Sequence, residues 1–426
     1  MILSLKIKNF LSFKEEVTFS FEATKDKHLE EYQVVEVAPG VRITKLAIVY
    51  GANASGKSNL ISAFETLQKF WLKTPKSKDT NTGVTPFLLD ETSEQNPSEF
   101  TLTFYIEAKK FVYTLYVSNL TVFYESLNYY SSVRPTEIFQ REFKQNISEI
   151  RFNPKLKLST VALDEISVKC LSNMSVFAAY NQVNVHLDEM DSIIDWMKSK
   201  IMQPIEPSTR LTEYAKNLIA SDEKAKAYVL NLLNQADYNI SDIDVQFKEE
   251  PANEDLIIEF VQNGKISIKE KNQIEKNRTI KVSETTFSHK IVNKDGIEAL
   301  FKLPSSLQSN GTLRTMGLAS VINRTIERNA FIAIDEIEAS LHPKLVEFLI
   351  ESFLKQSKTA QLLVTTHYDG LLEEEDMLRN DNIWFTRKKK DGSTELYSLS
   401  DFTGLSRISS LQKAYKFGKF GAIPNI

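Results

Sequence analysis

The sequence predicts an α/β protein with a mixed sheet, an antiparallel β subdomain and an inserted module of helices and strands. Compact apolar runs at Lys45–Tyr50 and Phe331–Ile334 are typical of strands buried on both faces, and apolar residues alternate with polar ones between Glu99 and Val117. A chain of 426 residues is longer than most single cores. We expect an N-terminal lobe at residues 1–150, the inserted module at 151–300 and a C-terminal lobe at 301–426.

Composition limits the class of protein. The single cysteine, Cys170, supports neither a disulfide nor a zinc site, and the first residues lack the pattern of a signal peptide. A lone thiol fits a reducing cytoplasm best, so we expect a cytoplasmic protein. Since no apolar run approaches the ~18 residues of a membrane helix, we expect no membrane insertion. The formal net charge of −4 gives no general attraction to nucleic acid, although a local basic groove stays open.

The N-terminal elements follow from periodicity. Ile2–Phe10 and Val17–Glu22 alternate at period two and predict a β-hairpin. Lys45–Tyr50 predicts a buried strand that ends at Gly51, and Asn59–Trp71 carries apolar residues at helical spacing. The order is therefore strand, glycine loop, helix.

Later elements are predicted in the same way. Phe100–Ile106 and Phe111–Val117 alternate around a short polar connection, which favours an antiparallel meander. Residues 163–236 are mostly helical in pattern, and short strands are predicted over 242–303. Two apolar strands, Phe331–Ile334 and Gln361–Val364, flank a helix at Pro343–Lys355 and predict a parallel crossover.

The glycine loop carries the first chemical signal. Its sequence fits the phosphate-loop pattern G-x-x-x-x-G-K-[ST] in full. Such a loop turns backbone N–H groups toward phosphates at the N terminus of the next helix. In this pattern Lys57 contacts the β- and γ-phosphates and the Ser58 hydroxyl binds Mg²⁺. The candidate nucleotide-binding residues are Gly51, Ala52, Asn53, Ala54, Ser55, Gly56, Lys57, Ser58 and Asn59.

Two further strand ends carry polar residues. Asp335 and Glu336 follow the strand Phe331–Ile334, where the first acid can hold Mg²⁺ and the second can polarise the attacking water. His367 follows the next predicted strand and can bond the γ-phosphate. His342 precedes Pro343 and is interpreted as a turn residue before a helix, with contact across a dimer interface as the alternative.

A second anion site is predicted at a helix start. Ser309 and Gly311 precede an apolar helix through Met316 and Ile322, and a serine at a helix start exposes unpaired backbone donors. This segment lies shortly before Asp335 in the chain.

Together these motifs resemble the ABC ATPases of the SMC, RecF and OLD kind. The similarity is greatest to the bacterial "AAA family ATPase" or "ATP/GTP phosphatase" group of phage-defence and abortive-infection loci. The opening Asn9–Phe13 resembles that group's N-F-x-S-F, and Gly418–Pro424 is also typical. The resemblance implies an ABC-type ATPase head that uses ATP and Mg²⁺.

The resemblance also implies the roles of single residues. Ser309 and Gly311 of one subunit would cap the γ-phosphate on the phosphate loop of a second copy, so a homodimer or higher even oligomer is expected. Asp335 would bind Mg²⁺, and Glu336, His367 and Lys57 would be catalytic, with Ala339–His342 as the D-loop. Asn310 and Thr312 depart from the common L-S-G-G-Q signature, and the Q-loop glutamine is not assigned.

The implied function is a nucleotide-dependent switch or sensor in anti-phage defence that controls a separate, nuclease-like effector. The alternative is a DNA-binding repair or recombination ATPase. Its candidate DNA footprint is Lys265, Lys269, Lys271, Lys276, Arg278 and Lys281, with Arg387, Lys388, Lys389 and Lys390. A transporter subunit is disfavoured, because about 250 residues separate the phosphate loop from the serine-glycine segment, far more than the helical insert of such subunits.

Overall fold

The computed structural model describes residues 1–236, 238–251, 274, 279–292, 294 and 296–423. The strands in this part of the chain are β1 (Ile2–Lys8), β2 (Val17–Ser20), β3 (Val34–Ala38), β4 (Val41–Thr44), β5 (Leu46–Gly51), β6 (Ser98–Ile106), β7 (Lys109–Val117), β8 (Val122–Tyr130), β9 (Thr136–Lys144), β10 (Ile147–Phe152), β11 (Ile240–Pro251), β12 (Thr279–Val292), β13 (Glu298–Pro304), β14 (Phe331–Ile334), β15 (Gln361–Thr365), β16 (Ile383–Lys388) and β17 (Thr394–Ser398).

The helices in the same residues are α1 (Glu30–Gln33), α2 (Lys57–Leu72), α3 (Thr160–Lys169), α4 (Val176–Tyr180), α5 (Asp188–Lys200), α6 (Thr212–Ser221), α7 (Glu223–Gln235), α8 (Asn310–Arg328), α9 (Pro343–Gln356) and α10 (Leu411–Lys416). None of the described helices combines the length and hydropathy needed to cross a lipid bilayer.

The chain divides into two compact units. The first unit consists of Met1–Thr209, Thr325–Ala339 and Val346–Ile426, and the second of Arg210–Arg324 and Ser340–Leu345. The division into segments 1–150, 151–300 and 301–426 stays a prediction.

A seven-stranded antiparallel sheet forms one layer of the first unit. Its strand order is β10-β9-β8-β7-β6-β1-β2. In the register, Leu5 of β1 lies opposite Phe19 of β2 and Leu102 of β6, and all three side chains are buried. Alternating apolar residues thus cover one face of this sheet. The predicted hairpin and meander are confirmed.

The first unit also contains a five-stranded sheet, and the glycine loop, the acidic pair and His367 follow three of its strands. Its order is β14-β15-β5-β16-β17, with β17 antiparallel to β16 and the other neighbouring pairs parallel. Every residue of β5 is buried, as its continuous apolar run predicts. Because β5, β14 and β15 run parallel, the loops after them lie at one edge of the sheet.

Helix α2 packs between these two sheets. Phe64 contacts Phe19 of β2 and Phe331 of β14, with ring centroids 6.0 and 4.8 Å apart. Trp71 packs edge-on against Tyr113 of β7 at 5.9 Å. These aromatic contacts fix the helix that follows the glycine loop.

The second unit contains the antiparallel sheet β11-β12-β13, with α6 and α7 packed against β11. Strands β11 and β12 have 12 and 14 residues and are longer than the short strands predicted there. The helical prediction for residues 163–236 is confirmed by α3 to α7. In α8, a Cβ on Gly317 would lie 2.4 Å from Leu211 Cβ, so only glycine fits this contact.

Candidate functional site

The glycine loop ends β5 and opens α2. Ala54 and Gly56 have positive φ angles of 58° and 104°, which turn the chain sharply before Lys57. No side chain caps the N terminus of α2 in the described structure. The Asn59 N–H donates to Gly56 O at 3.1 Å. The N–H groups of the two residues before it lie at the uncapped end of the helix, where they can bind an anion.

Close packing under the loop explains its glycines. A Cβ on Gly51 would lie 2.3 Å from Thr386 Oγ1, and one on Gly56 would lie 2.4 Å from Thr394 Oγ1. Both distances are too short for any side chain. Gly56 also needs its positive φ, which other residues adopt at a cost.

Hydroxyl groups from distant parts of the chain hold the loop in place. Ser12 Oγ accepts a hydrogen bond from Asn59 Nδ2 at 2.7 Å and lies 2.7 Å from Thr394 Oγ1. The Ser55 and Thr386 hydroxyls are 2.6 Å apart and hydrogen-bonded. Ser12 belongs to the N-F-x-S-F opening, and its place in the structure gives that motif a physical role. Sequence reasoning did not identify Thr386 and Thr394, which carry no motif.

Lys57 is almost buried, with 5% of its surface exposed. Its Nζ donates to Gly51 O at 2.9 Å and Ala52 O at 3.2 Å, and lies 3.1 Å from His367 Nε2. Burial lowers the pKa of Lys57, against the opposite effect of nearby carboxylates. The Lys57 ammonium thus lies between the glycine loop and His367, which the sequence predicted to be its neighbours.

Asp335 and Glu336 follow β14 and are both organised by Thr365. The Thr365 hydroxyl donates to Asp335 Oδ1 at 2.5 Å and accepts the Glu336 N–H at 2.8 Å. Glu336 has a positive φ of 45°, so the chain turns sharply where the two carboxylates diverge. Asp335 is 8% exposed. Thr365 is a supporting residue that sequence reasoning missed.

His367 completes the edge of the sheet. Its Nε2 lies 3.8 Å from Glu336 Oε1, and its backbone N–H donates to Glu338 Oε1 at 2.6 Å. Burial, followed by the charge of Lys57, lowers the pKa of His367. A neutral imidazole whose Nε2 accepts from the Lys57 ammonium agrees with this shift. Glu338 is a third acid near the site that the sequence did not single out.

One cavity of about 430 Å³ joins these groups. Its lining includes Asn53–Asn59, Glu336 and His367, and also Thr85–Leu89. Asp335 is close enough to raise the pKa of Lys57 but is not part of the lining. No glutamine occurs among the described residues that line the cavity, so the Q-loop residue stays unassigned.

Ser309 caps α8 within the second unit. Its Oγ accepts the Thr312 N–H at 3.0 Å, which is the N-cap geometry that the sequence predicted. A Cβ on Gly311 would lie 3.3 Å from Ser340 O, so Gly311 lies close to Ser340 of the predicted D-loop within this unit. His342 Nδ1 accepts the Lys344 N–H at 3.2 Å, as expected of a turn residue before Pro343.

The predicted DNA footprint is only partly described. Lys265, Lys269, Lys271, Lys276 and Arg278 lie outside the described residues, and Lys281 lies in β12. In the second group, Arg387 contacts Glu395 at 2.5 Å and Lys389 approaches the same carboxylate at 4.0 Å. Lys388 lines the cavity beside the glycine loop.

Comparison with known proteins adds a family and a set of related folds. The family model described as "AAA domain, putative AbiEii toxin, Type IV TA system" matches residues 46–163 and 198–373. These two ranges contain the glycine loop, Ser309, the acidic pair and His367. No curated protein matches the chain.

Two solved structures of SMC heads are similar in fold. The SMC head domain from Thermotoga maritima has 11% identity and a TM-score of 0.42, over 93% of this chain and 98% of that one. An Smc head domain with an extended coiled coil from Pyrococcus furiosus, bound to the C-terminal domain of ScpA, has 14% identity and a TM-score of 0.39, over 98% of each chain.

Proposed function

The chain belongs to this family of AAA domains, and we propose that it binds and hydrolyses ATP with Mg²⁺ as a nucleotide-dependent dimeric switch. One observation carries the proposal. Lys57, Glu336 and His367 line a single cavity at the uncapped N terminus of α2. An anion site, a cation and a carboxylate beside one cavity are the groups that phosphoryl transfer to water needs.

The roles of the residues follow from their positions. The backbone of Gly51–Asn59 would bind the phosphates, and Lys57 would exchange its bonds to Gly51 O and Ala52 O for phosphate oxygens. Glu336 would orient and polarise the attacking water. His367, next to both, would bond the γ-phosphate.

The donor set fits Mg²⁺. The Ser58 hydroxyl and the Asp335 carboxylate are the proposed protein ligands, and no described group of three or more His, Cys, Asp or Glu side chains could hold a metal. Mg²⁺ suits such a site, because it keeps several waters and is bound through one or two carboxylates plus substrate phosphates. The bound ion would neutralise charge on the transferring phosphoryl group.

The proposal of a dimer depends on the second predicted anion site, Ser309 and Gly311 at the start of α8. Ser309 caps α8 and leaves N–H donors at the start of that helix, as a second phosphate contact requires. We propose that Ser309 and Gly311 of one copy close over the nucleotide held by Lys57 of the other. ATP is then part of the interface, and its hydrolysis loosens the dimer.

A mixing experiment tests this arrangement. Lys57→Ala and Ser309→Arg should each abolish ATP hydrolysis as pure proteins. In an equimolar mixture, each heterodimer keeps one intact composite site of its two, so activity should return, to at most about half of the unmodified rate. The release of phosphate measures ATP hydrolysis. The control is a mixture of Lys57→Ala with Glu336→Gln, which removes a residue from the same half of the composite site and should therefore restore no activity. No recovery in the first mixture would contradict a shared site.

We also propose that the switch acts in anti-phage defence and controls a separate, nuclease-like effector. Support comes from the resemblance to phage-defence ATPases and from the family description, which names a toxin of a toxin-antitoxin system. Cells that carry the gene with its neighbouring genes should show reduced phage plaque formation, and Lys57→Ala should abolish the reduction. Equal protection by this variant would argue against an ATP-dependent role.

The DNA-binding repair ATPase stays as a second candidate. It is favoured by the basic run Arg387–Lys390, in which only Lys389 is half-buried and Lys388 lines the cavity beside the glycine loop, although Glu395 neutralises part of that charge. Binding to duplex DNA that weakens steeply with salt, and less steeply when Lys388 and Lys390 become Gln, would support it. No retention of DNA at low salt would exclude it.

A further inference from the structure

We propose that the loop Thr85–Leu89 is the nucleobase-binding wall of the cavity, and that it accepts guanine nearly as well as adenine. The inference rests on the proposed function, since it takes the phosphates to lie at the N terminus of α2. The same cavity that contains the phosphate loop is lined by Thr85–Leu89, so a nucleotide held by its phosphates has this wall within its reach.

Two leucines of the wall are exposed. Leu88 and Leu89 have 60% and 68% of their surface accessible, although both line a cavity. Large apolar side chains exposed together commonly mark a binding surface. A planar base laid against them removes apolar area from water on both partners, which favours binding without any hydrogen bond.

Asn9 anchors the segment that carries the two leucines, on both sides of them. Asn9 Nδ2 donates to Ser93 O at 2.8 Å and to Asn96 O at 2.9 Å, and its Oδ1 accepts the Phe87 N–H at 3.1 Å. Asn9 is 4% exposed. The leucines are therefore pre-positioned, so binding does not have to order the loop.

Few side-chain groups of this wall can distinguish one purine from another, and part of its backbone is already engaged. The Leu11 N–H donates to Thr85 O at 3.0 Å, the Phe87 N–H is bonded to Asn9, and Pro86 has no N–H. The side chains are apolar except for Thr85. Sites that hydrogen-bond a substrate group reject analogues strongly, whereas apolar pockets discriminate weakly. Adenine and guanine have planar rings of similar area to lay against the leucines, whereas a pyrimidine ring has a smaller area and should bind more weakly.

Binding measurements with four ligands test the inference. Dissociation constants for ATP, GTP and UTP, each as its β,γ-imido analogue so that hydrolysis does not contribute heat, and for inorganic tripolyphosphate are measured by calorimetry with Mg²⁺ on the full chain. We expect ATP and GTP to agree within about tenfold, with UTP weaker. The double variant Leu88→Ala/Leu89→Ala should weaken ATP and GTP alike, by about tenfold, and leave tripolyphosphate unchanged. Leu120→Ala, at another exposed leucine, is the matched control and should change no constant.

The outcomes separate this inference from the proposed function. GTP binding more than about a hundredfold weaker than ATP would overturn the shared purine wall. Unchanged ATP affinity in the leucine variant would overturn the assignment of the wall while the proposed function stands. Failure of both ATP and tripolyphosphate to bind the unmodified protein would overturn the proposed function and this inference with it. Because the substituted leucines are exposed, circular dichroism should show the variant folded.

Discussion

At the residue scale, the hydroxyl of Thr365 positions both Asp335 and Glu336 through hydrogen bonds. Thr365→Val keeps the shape of the side chain but removes the donor to Asp335 and the acceptor for the Glu336 N–H. An unsatisfied buried group costs about 1–3 kcal/mol, so the free energy of unfolding should fall by that amount. Denaturant unfolding measures the loss. Thr365→Ser, which keeps the hydroxyl, should retain most of the stability, and equal stability of the valine variant would contradict the role.

His367 should also couple nucleotide binding to protons. Burial and the nearby Lys57 lower the pKa of His367 from its ordinary value of 6.5, so the free protein holds the imidazole neutral at pH 7. An incoming triphosphate adds negative charge, which favours the protonated form and raises this pKa. Between the free and bound pKa values, binding takes up a proton, and affinity rises as the pH falls through that window.

Calorimetry of the binding of the non-hydrolysable β,γ-imido analogue of ATP, in two buffers of different ionisation enthalpy, checks this prediction. The unmodified protein should take up more protons near pH 6 than His367→Asn does. Because both proteins bind the same nucleotide, protons that belong to the analogue itself cancel in the comparison. Identical uptake by the two proteins would show that His367 does not titrate with binding.

At the scale of elements, α2 depends on Phe64. Its ring packs between Phe19 and Phe331, which belong to different sheets, and is 3% exposed. Phe64→Ala should lower the free energy of unfolding by about 3–5 kcal/mol. Phe417→Ala, at a ring 86% exposed, is the control and should change it by less than about 0.5 kcal/mol. Chemical denaturation of both variants gives the values, and equal losses would contradict the packing argument.

The elements that carry the site were predictable because their signals are local. Lys45–Tyr50 is continuously apolar, the loop after it matches a complete motif, and apolar residues recur at helical spacing in α2. The support beneath the loop was not predictable. Ser55 meets Thr386 across 331 positions and Ser12 meets Thr394 across 382, and neither pair carries a spacing that a sequence pattern shows.

The order of the loops was predictable for a second reason. Parallel strands place the residues after β5, β14 and β15 at one edge, so an assignment of strands already implied that Lys57, Glu336 and His367 meet. The same logic gave neither Thr365 nor Glu338, since their hydrogen bonds depend on side-chain direction at strand ends. Nor did it give the wall at Leu88 and Leu89, which lies in a loop without periodicity.

At the scale of the whole molecule, the bound nucleotide should determine whether the protein is a monomer or a dimer. Glu336→Gln should slow hydrolysis by about 10²- to 10⁴-fold while ATP still binds. With ATP and Mg²⁺ this variant should therefore accumulate as a dimer, visible as a doubled mass in light scattering after gel filtration. Lys57→Ala under the same conditions should stay a monomer. A mass independent of nucleotide, or hydrolysis by Glu336→Gln at the unmodified rate, would contradict the switch.

The position of β5 in its sheet has a consequence for biosynthesis. Its neighbours β15 and β16 both come from the last part of the chain, and Asn382, which donates to Leu46 O at 2.9 Å, is 336 positions further along. At about 5–20 residues per second, a ribosome needs tens of seconds to supply these partners. Until then the apolar segment Leu46–Gly51 leaves the exit tunnel without its partner strands, which exposes the nascent polypeptide to aggregation during synthesis.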